Sequence, residues 1–169
     1  SPLCLDVLVE ALGNEDREIR WAVALLLVRL AKEERNPLAL LLGLVGSGSP
    51  VQRRMAVYCL RDLELTDDAS LQALLASLSD PDPLVRVAAV TSLKTRQVGK
   101  EGLETLIRLF REDPDSRVRN AAALAVGQLG ENTEEGRSAL AEADLRGDPR
   151  ARKAAQAALR VLDKKRPAS

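Results

Sequence analysis

Apolar and polar positions recur along this chain with one period. Arginines stand at Arg20, Arg53, Arg86, Arg119 and Arg152, 33 residues apart each time. Two positions after each comes Ala22, Met55, Ala88, Ala121 or Ala154. Three positions after comes Val23, Ala56, Ala89, Ala122 or Ala155. One turn later Leu26, Cys59, Ser92, Ala125 and Ala158 stand beside Leu27, Leu60, Leu93, Val126 and Leu159. Apolar side chains at this spacing make one stripe along an α-helix. Their small size at several columns lets a neighbouring helix come close. An earlier stripe marks a second helix in each copy, through Leu8, Leu41, Leu74, Ile107 and Leu140.

Helix starts fall at the same phase in every copy. Four residues before each arginine stands Asp16, Ser49, Asp82, Asp115 or Asp148. A short side-chain oxygen there accepts the unpaired N–H groups of the first turn. Pro50, Pro83 and Pro149 follow directly, at the one helical position where proline forfeits no hydrogen bond. The second helices are expected near 16–31, 49–64, 82–97, 115–129 and 148–163. Glycine and polar turns such as Gly13-Asn14, Asp80-Pro81 and Asp113-Pro114 separate the helices. The expected fold is all-α, an α-α superhelix of about five two-helix repeats (1–31, 32–64, 65–97, 98–130, 131–163) in a single solenoid over 1–163, with a frayed basic tail at 164–169.

The stretches from Asp80 to Leu93 (DPDPLVRVAAVTSL) and from Asp113 to Gly130 (DPDSRVRNAAALAVGQLG) resemble HEAT repeats, of the short type seen in phycobilisome lyases. The resemblance covers essentially the whole chain. It implies a right-handed armadillo-like solenoid, with first helices on the convex side and second helices on the concave side. It also implies that the repeated arginine pairs with an aspartate of a nearby turn, Asp80 for Arg86 and Asp113 for Arg119. Asn14, Ser47 and Arg146 hold that place in the other copies. A feature copied at one phase in every repeat serves the repeat itself, so Arg20, Arg53, Arg86, Arg119 and Arg152 are expected to be structural.

Function in such a fold lies where the copies differ. A helical wheel at 100° per residue sets the strip opposite the core stripe on each second helix. That strip carries Arg17, Arg54, Arg61, Lys94, Lys153 and Arg160 and no acid. Trp21, Tyr58 and Val87 also fall on it, with Ala24, Leu25, Val28, Val57, Val90, Ala123, Leu124 and Gly127 between them. Tryptophan, tyrosine and arginine are the side chains that most often anchor interfaces. The expected partner surface is therefore Trp21, Arg54, Tyr58, Arg61, Val87, Lys94, Lys153 and Arg160, binding an acidic protein segment with an apolar anchor. A nucleic acid on the same cations is the alternative reading, and a bilin lyase-like subunit is a third, implied by the resemblance. Trp21 to Val28 is apolar all round, so that helix is expected to be covered by a preceding repeat, a partner, or a second copy through self-association.

Composition narrows the chemistry. The 169 residues hold 25 basic and 25 acidic side chains and no histidine. Imidazole acid–base catalysis and histidine zinc sites are absent with it. Two cysteines, Cys4 and Cys59, make no disulfide framework and suit a reducing, cytoplasmic setting. Cys59 shares the column of Ser92 and Ala125, which makes it a small core residue. Gly46-Ser47-Gly48-Ser49 reads as a turn, and Glu33-Glu34 and Glu134-Glu135 as solvated helix ends. No apolar run is long enough to cross a membrane. No metal, cofactor or catalytic pattern stands out, so the expected function is a non-enzymatic protein-interaction scaffold.

Overall fold

The computed structural model describes residues 2–33, 36–64, 67–129, 134–146 and 149–164. Among them are ten α-helices, one short 3-10 turn at Ser77–Ser79 and no strand. Two compact units divide the chain, Ser1–Ser92 and Leu93–Ser169. The first contains α1 (Pro2–Ala11), α2 (Arg17–Glu33), α3 (Asn36–Ser47), α4 (Pro50–Leu63), α5 (Asp68–Ala76) and α6 (Pro83–Leu93), whose last residue is the first of the next unit. The second contains α7 (Gly99–Glu112), α8 (Ser116–Leu129), α9 (Glu134–Arg146) and α10 (Pro149–Lys164). The even-numbered helices begin within one residue of the starts set by the Asp and Ser caps. The basic tail at 165–169 lies outside the described residues.

Each second helix starts where the sequence provides an acceptor. Asp16, Asp82 and Asp115 take the N–H groups of Glu18, Leu84 and Arg117 at 2.8 Å. Ser49 and Gln52 cap each other reciprocally at the start of α4. Two residues earlier a second acceptor bends the chain into the cap. Asn14 accepts from the Asp16 N–H at 2.8 Å, Asp80 from that of Asp82 at 2.8 Å, and Asp113 from that of Asp115 at 2.9 Å. These bonds satisfy donors that the helix itself leaves open.

Within the first unit α4 packs on α2 and α3; within the second, α8 packs on α7 and α10. The core is the repeated stripe. Leu27, Leu60, Leu93 and Val126 are fully buried, as are Leu41, Leu74 and Leu140 from the first helices. Burial of a leucine contributes about 1.5–3 kcal/mol, so these columns supply most of the cohesion between helix layers. Leu26 departs from the pattern. Its equivalents Cys59, Ser92, Ala125 and Ala158 are buried, but Leu26 is 43% exposed.

The repeated arginines fold back on their own turns. Arg20 Nη1 donates to the carbonyls of Asn14 and Glu15 at 2.6 and 2.8 Å. Arg86 does the same with Asp80 and Pro81, at 2.8 and 3.1 Å, and Arg119 with Asp113 and Pro114, at 2.8 and 3.1 Å. Arg53 Nη1 reaches the Gly48 carbonyl at 2.9 Å. Arg152 is exposed, and the turn before it lies outside the described residues. The aspartate pairing differs from the expected one. The Asp80 carboxylate does not take Arg86 of its own turn in a bidentate pair; it takes Arg53 from 27 residues earlier, at 2.7 and 2.8 Å. Arg86 uses the backbone carbonyl of Asp80 instead. Asp80 thus ties one repeat to the next.

Twenty-seven residues after Arg20 stands Ser47, whose hydroxyl is spent on the Gly43 carbonyl at 3.0 Å. Arg20 Nε is accordingly buried without a hydrogen-bond partner. Replacing Arg20 by Ala should therefore cost about 1 kcal/mol, whereas Arg53→Ala should cost about 3 kcal/mol because it strands a buried carboxylate. Urea unfolding of the two variants checks this, and equal losses would contradict it.

Candidate functional site

The surface that brings expected site residues together lies on α2 and α4. Trp21 on α2 and Tyr58 on α4 stack with ring centroids 5.4 Å apart and planes inclined by 26°. The Arg61 guanidinium sits over the Tyr58 ring, 5.0 Å from its centroid. Offset rings and a cation over a π-face are favourable arrangements. The phenol ring of Tyr58 thus meets both the indole and the guanidinium. All three side chains are half-buried.

Charge and apolar surface border the stack. Arg61 also donates to Asp62 at 2.7 Å, with both side chains about one-third exposed (37% and 34%). Arg54 stands one helical turn before Tyr58 and is half-buried. Leu25 stands one turn after Trp21 and is 64% exposed.

The other expected residues are placed differently. Val87 is half-buried on α6 in the first unit. Lys94, half-buried, and Lys153 and Arg160, exposed on α10, belong to the second unit. Six members of the expected open strip, Ala24, Val28, Val57, Val90, Ala123 and Gly127, lie in the core instead. The reason is direct packing between successive second helices. Cys59 Sγ lies 3.8 Å from the Ala24 carbonyl, and Ala158 presses on Gly127. A wheel drawn for one helix cannot show that the next copy covers part of its open side. Cys59 is a core residue, with burial first and the Asp62 charge second pushing its thiol up to about 12 against the opposing charge of Arg61. It stays protonated and unreactive at neutral pH.

The sequence reading passed over one feature. Glu104, Ile107, Arg108 and Arg111 of α7 face Glu134, Glu135 and Ser138 of α9 across a cleft of about 560 Å³. Arg111 and Glu142 bridge the two helices at 2.8 Å. Glu134 and Glu135 are thus cleft walls as well as helix-end charges. No residue pattern announces this, because the cleft lies between two first helices of different repeats. Among the described residues no three His, Cys, Asp or Glu side chains gather as metal ligands do, and no helix is long and apolar enough to cross a membrane.

Paired helices at a 33-residue repeat, capped at fixed phase and stitched by arginines, define a HEAT-type α-solenoid. The HEAT-repeat family matches residues 71–160, more than half of the chain, and the protein belongs to that family. Its fold is similar to that in the solved complex of CpcE and CpcF of phycocyanin lyase from Nostoc sp. PCC7120, with a TM-score of 0.75 and 19% sequence identity. The match covers 94% of this chain and 99% of that one. This corrects the expectation of a non-enzymatic chain. A lyase is built on a similar fold, so the absence of histidine is no argument against catalysis.

Proposed function

We propose that this HEAT-repeat protein is a docking subunit that seizes a partner protein on the face carrying Trp21, Leu25, Arg54, Tyr58 and Arg61. One observation carries the reading: the Trp21–Tyr58–Arg61 stack, half-open and continued by an exposed leucine. Its chemistry suits an acidic segment with an apolar anchor. The anchor covers Leu25 and the indole edge, and the carboxylates meet Arg54 and Arg61.

Trp21 is the only tryptophan, so it reports on its own site. A synthetic peptide of alternating glutamate and leucine should change its fluorescence saturably. The double variant Arg54→Glu/Arg61→Glu should weaken that binding by about tenfold or more with helicity unchanged. Equal binding by the variant would sink the site. A second reading is a bilin lyase-like subunit, favoured by the fold shared with the CpcE–CpcF complex. It too requires docking onto a second protein. Bilin attachment to a phycocyanin subunit, assayed with and without an added partner subunit, distinguishes it from docking alone.

A further inference from the structure

The helix α2 is apolar on two opposite sides. Ala24, Leu27 and Val28 face the core of the first unit and are buried. On the opposite side of the wheel stand Ile19, Ala22 and Leu26, all exposed. Ile19 and Leu26 are each 43% open to solvent. A helix apolar on both sides is one that is covered on both.

The later repeats show what such a face does. The columns of Ile19, Ala22 and Leu26 continue as Gln52, Met55 and Cys59 on α4. There Met55 and Cys59 are buried, Gln52 Nε2 donates to the Val9 carbonyl at 3.0 Å, and Cys59 Sγ meets the Ala24 carbonyl at 3.8 Å. The face is therefore equivalent to the inter-repeat surface of α4, and among the described residues it is exposed on α2.

We propose that a second copy of this chain covers it, in a two-fold dimer with α2 antiparallel to its mate. Ala22, a small residue, lies at the middle of the exposed face and lets two helices approach. An axis beside it sets Ile19 of each copy against Leu26 of the other. The charges on this face are ordered to match. Glu15 and Glu18 precede or open α2 on this side, and Arg29 stands near its end, all exposed. Antiparallel apposition brings Arg29 of one copy towards Glu15 of the other, whereas parallel apposition sets like charges together. Glu33, which pairs with Arg29 at 3.8 Å, falls beyond the mate's first turn. Head-to-tail stacking on α10 is disfavoured. The columns that receive a neighbour, Ala24 and Val28, become Gln156 and Arg160 on α10, both exposed and polar. Burying them under Ile19 and Leu26 costs their hydration. An isologous contact closes on itself and leaves α10 in water.

Sedimentation equilibrium of the purified chain tests this. The expected mass is twice the 18.3 kDa of one chain. Leu26→Arg should raise the dimer dissociation constant by about tenfold or more, with helicity retained. Arg29→Glu should weaken the dimer likewise, and the added Glu15→Arg should restore it, which a purely structural role of either residue does not predict. A monomer at all concentrations up to about 100 μM, a level at which a standard interface associates, overturns the proposal. So does a dimer indifferent to Leu26→Arg, or a charge swap that fails to rescue. The docking site on α2 and α4 is tested by peptide binding and stands or falls separately.

Discussion

Asp80→Asn is expected to destabilise the protein by about 2–4 kcal/mol, or roughly 5–10 °C in Tm. The Asp80 side chain is 6% exposed and its partner Arg53 15%. The pair is bidentate, and the same carboxylate also orders the cap of α6 through the Asp82 N–H. An amide in its place offers one acceptor where two are needed and leaves the Arg53 charge half-desolvated. The effect depends on pH with a definite sign. Burial pushes the Asp80 carboxyl up. The hydrogen bonds from Arg53 and from the Asp82 N–H, with the charges of Arg53 and Arg86, outweigh that and hold it below the usual carboxylate range. A carboxyl depressed by folding contributes stability that is complete above its unfolded value of about 3.9 and is lost as pH falls through its folded value. The gap between wild type and Asp80→Asn should thus be constant from pH 7 down to about 4 and shrink on further acidification. Urea unfolding at stepped pH measures it; a gap that widened in acid would contradict the assignment.

Gly127→Val should be the most damaging single change in the second unit, at about 3 kcal/mol or more. A Cβ at Gly127 would stand 2.6 Å from Ala158 Cβ, 2.8 Å from its Cα and 3.0 Å from its carbonyl oxygen. Two of these atoms are backbone, so no rotamer change relieves the clash; α8 and α10 must part. Gly127→Ala carries the same Cβ and gains about 1 kcal/mol of helix propensity. Its net cost should still be about 1–2 kcal/mol. Circular dichroism during urea titration reads both variants. A Gly127→Ala protein more stable than wild type would show that the helices are not held at this distance.

Gly127 and Asp80 also mark how far the residue pattern reaches. The period, the caps and the core stripe are properties of single helices, and their geometry is set by neighbours a few residues away. Asp16, Ser49, Asp82 and Asp115 therefore announced their helices to within one residue. Asp80 pairing across 27 residues is a contact between repeats, whereas the family resemblance implied Arg86 of its own turn. Leu26 belongs to the core column by phase, yet it is 43% exposed, because no described helix packs on that side of α2 as α2 packs on α4.

The candidate site divides in the same way. That Trp21, Tyr58 and Arg61 share the outward side of second helices was legible from helical phase and the 33-residue repeat. That an indole on one helix lies flat on a phenol of the next, with a guanidinium on top, was not. Sequence by itself determined the brick: two helices, their ends and their apolar stripes, because those follow from backbone hydrogen bonding and a 3.6-residue period. Only the tertiary structure decided which outward residues stay outward. Ala24, Val57 and Gly127 are covered and Leu25 is not, because burial depends on what the adjacent helix brings to the contact.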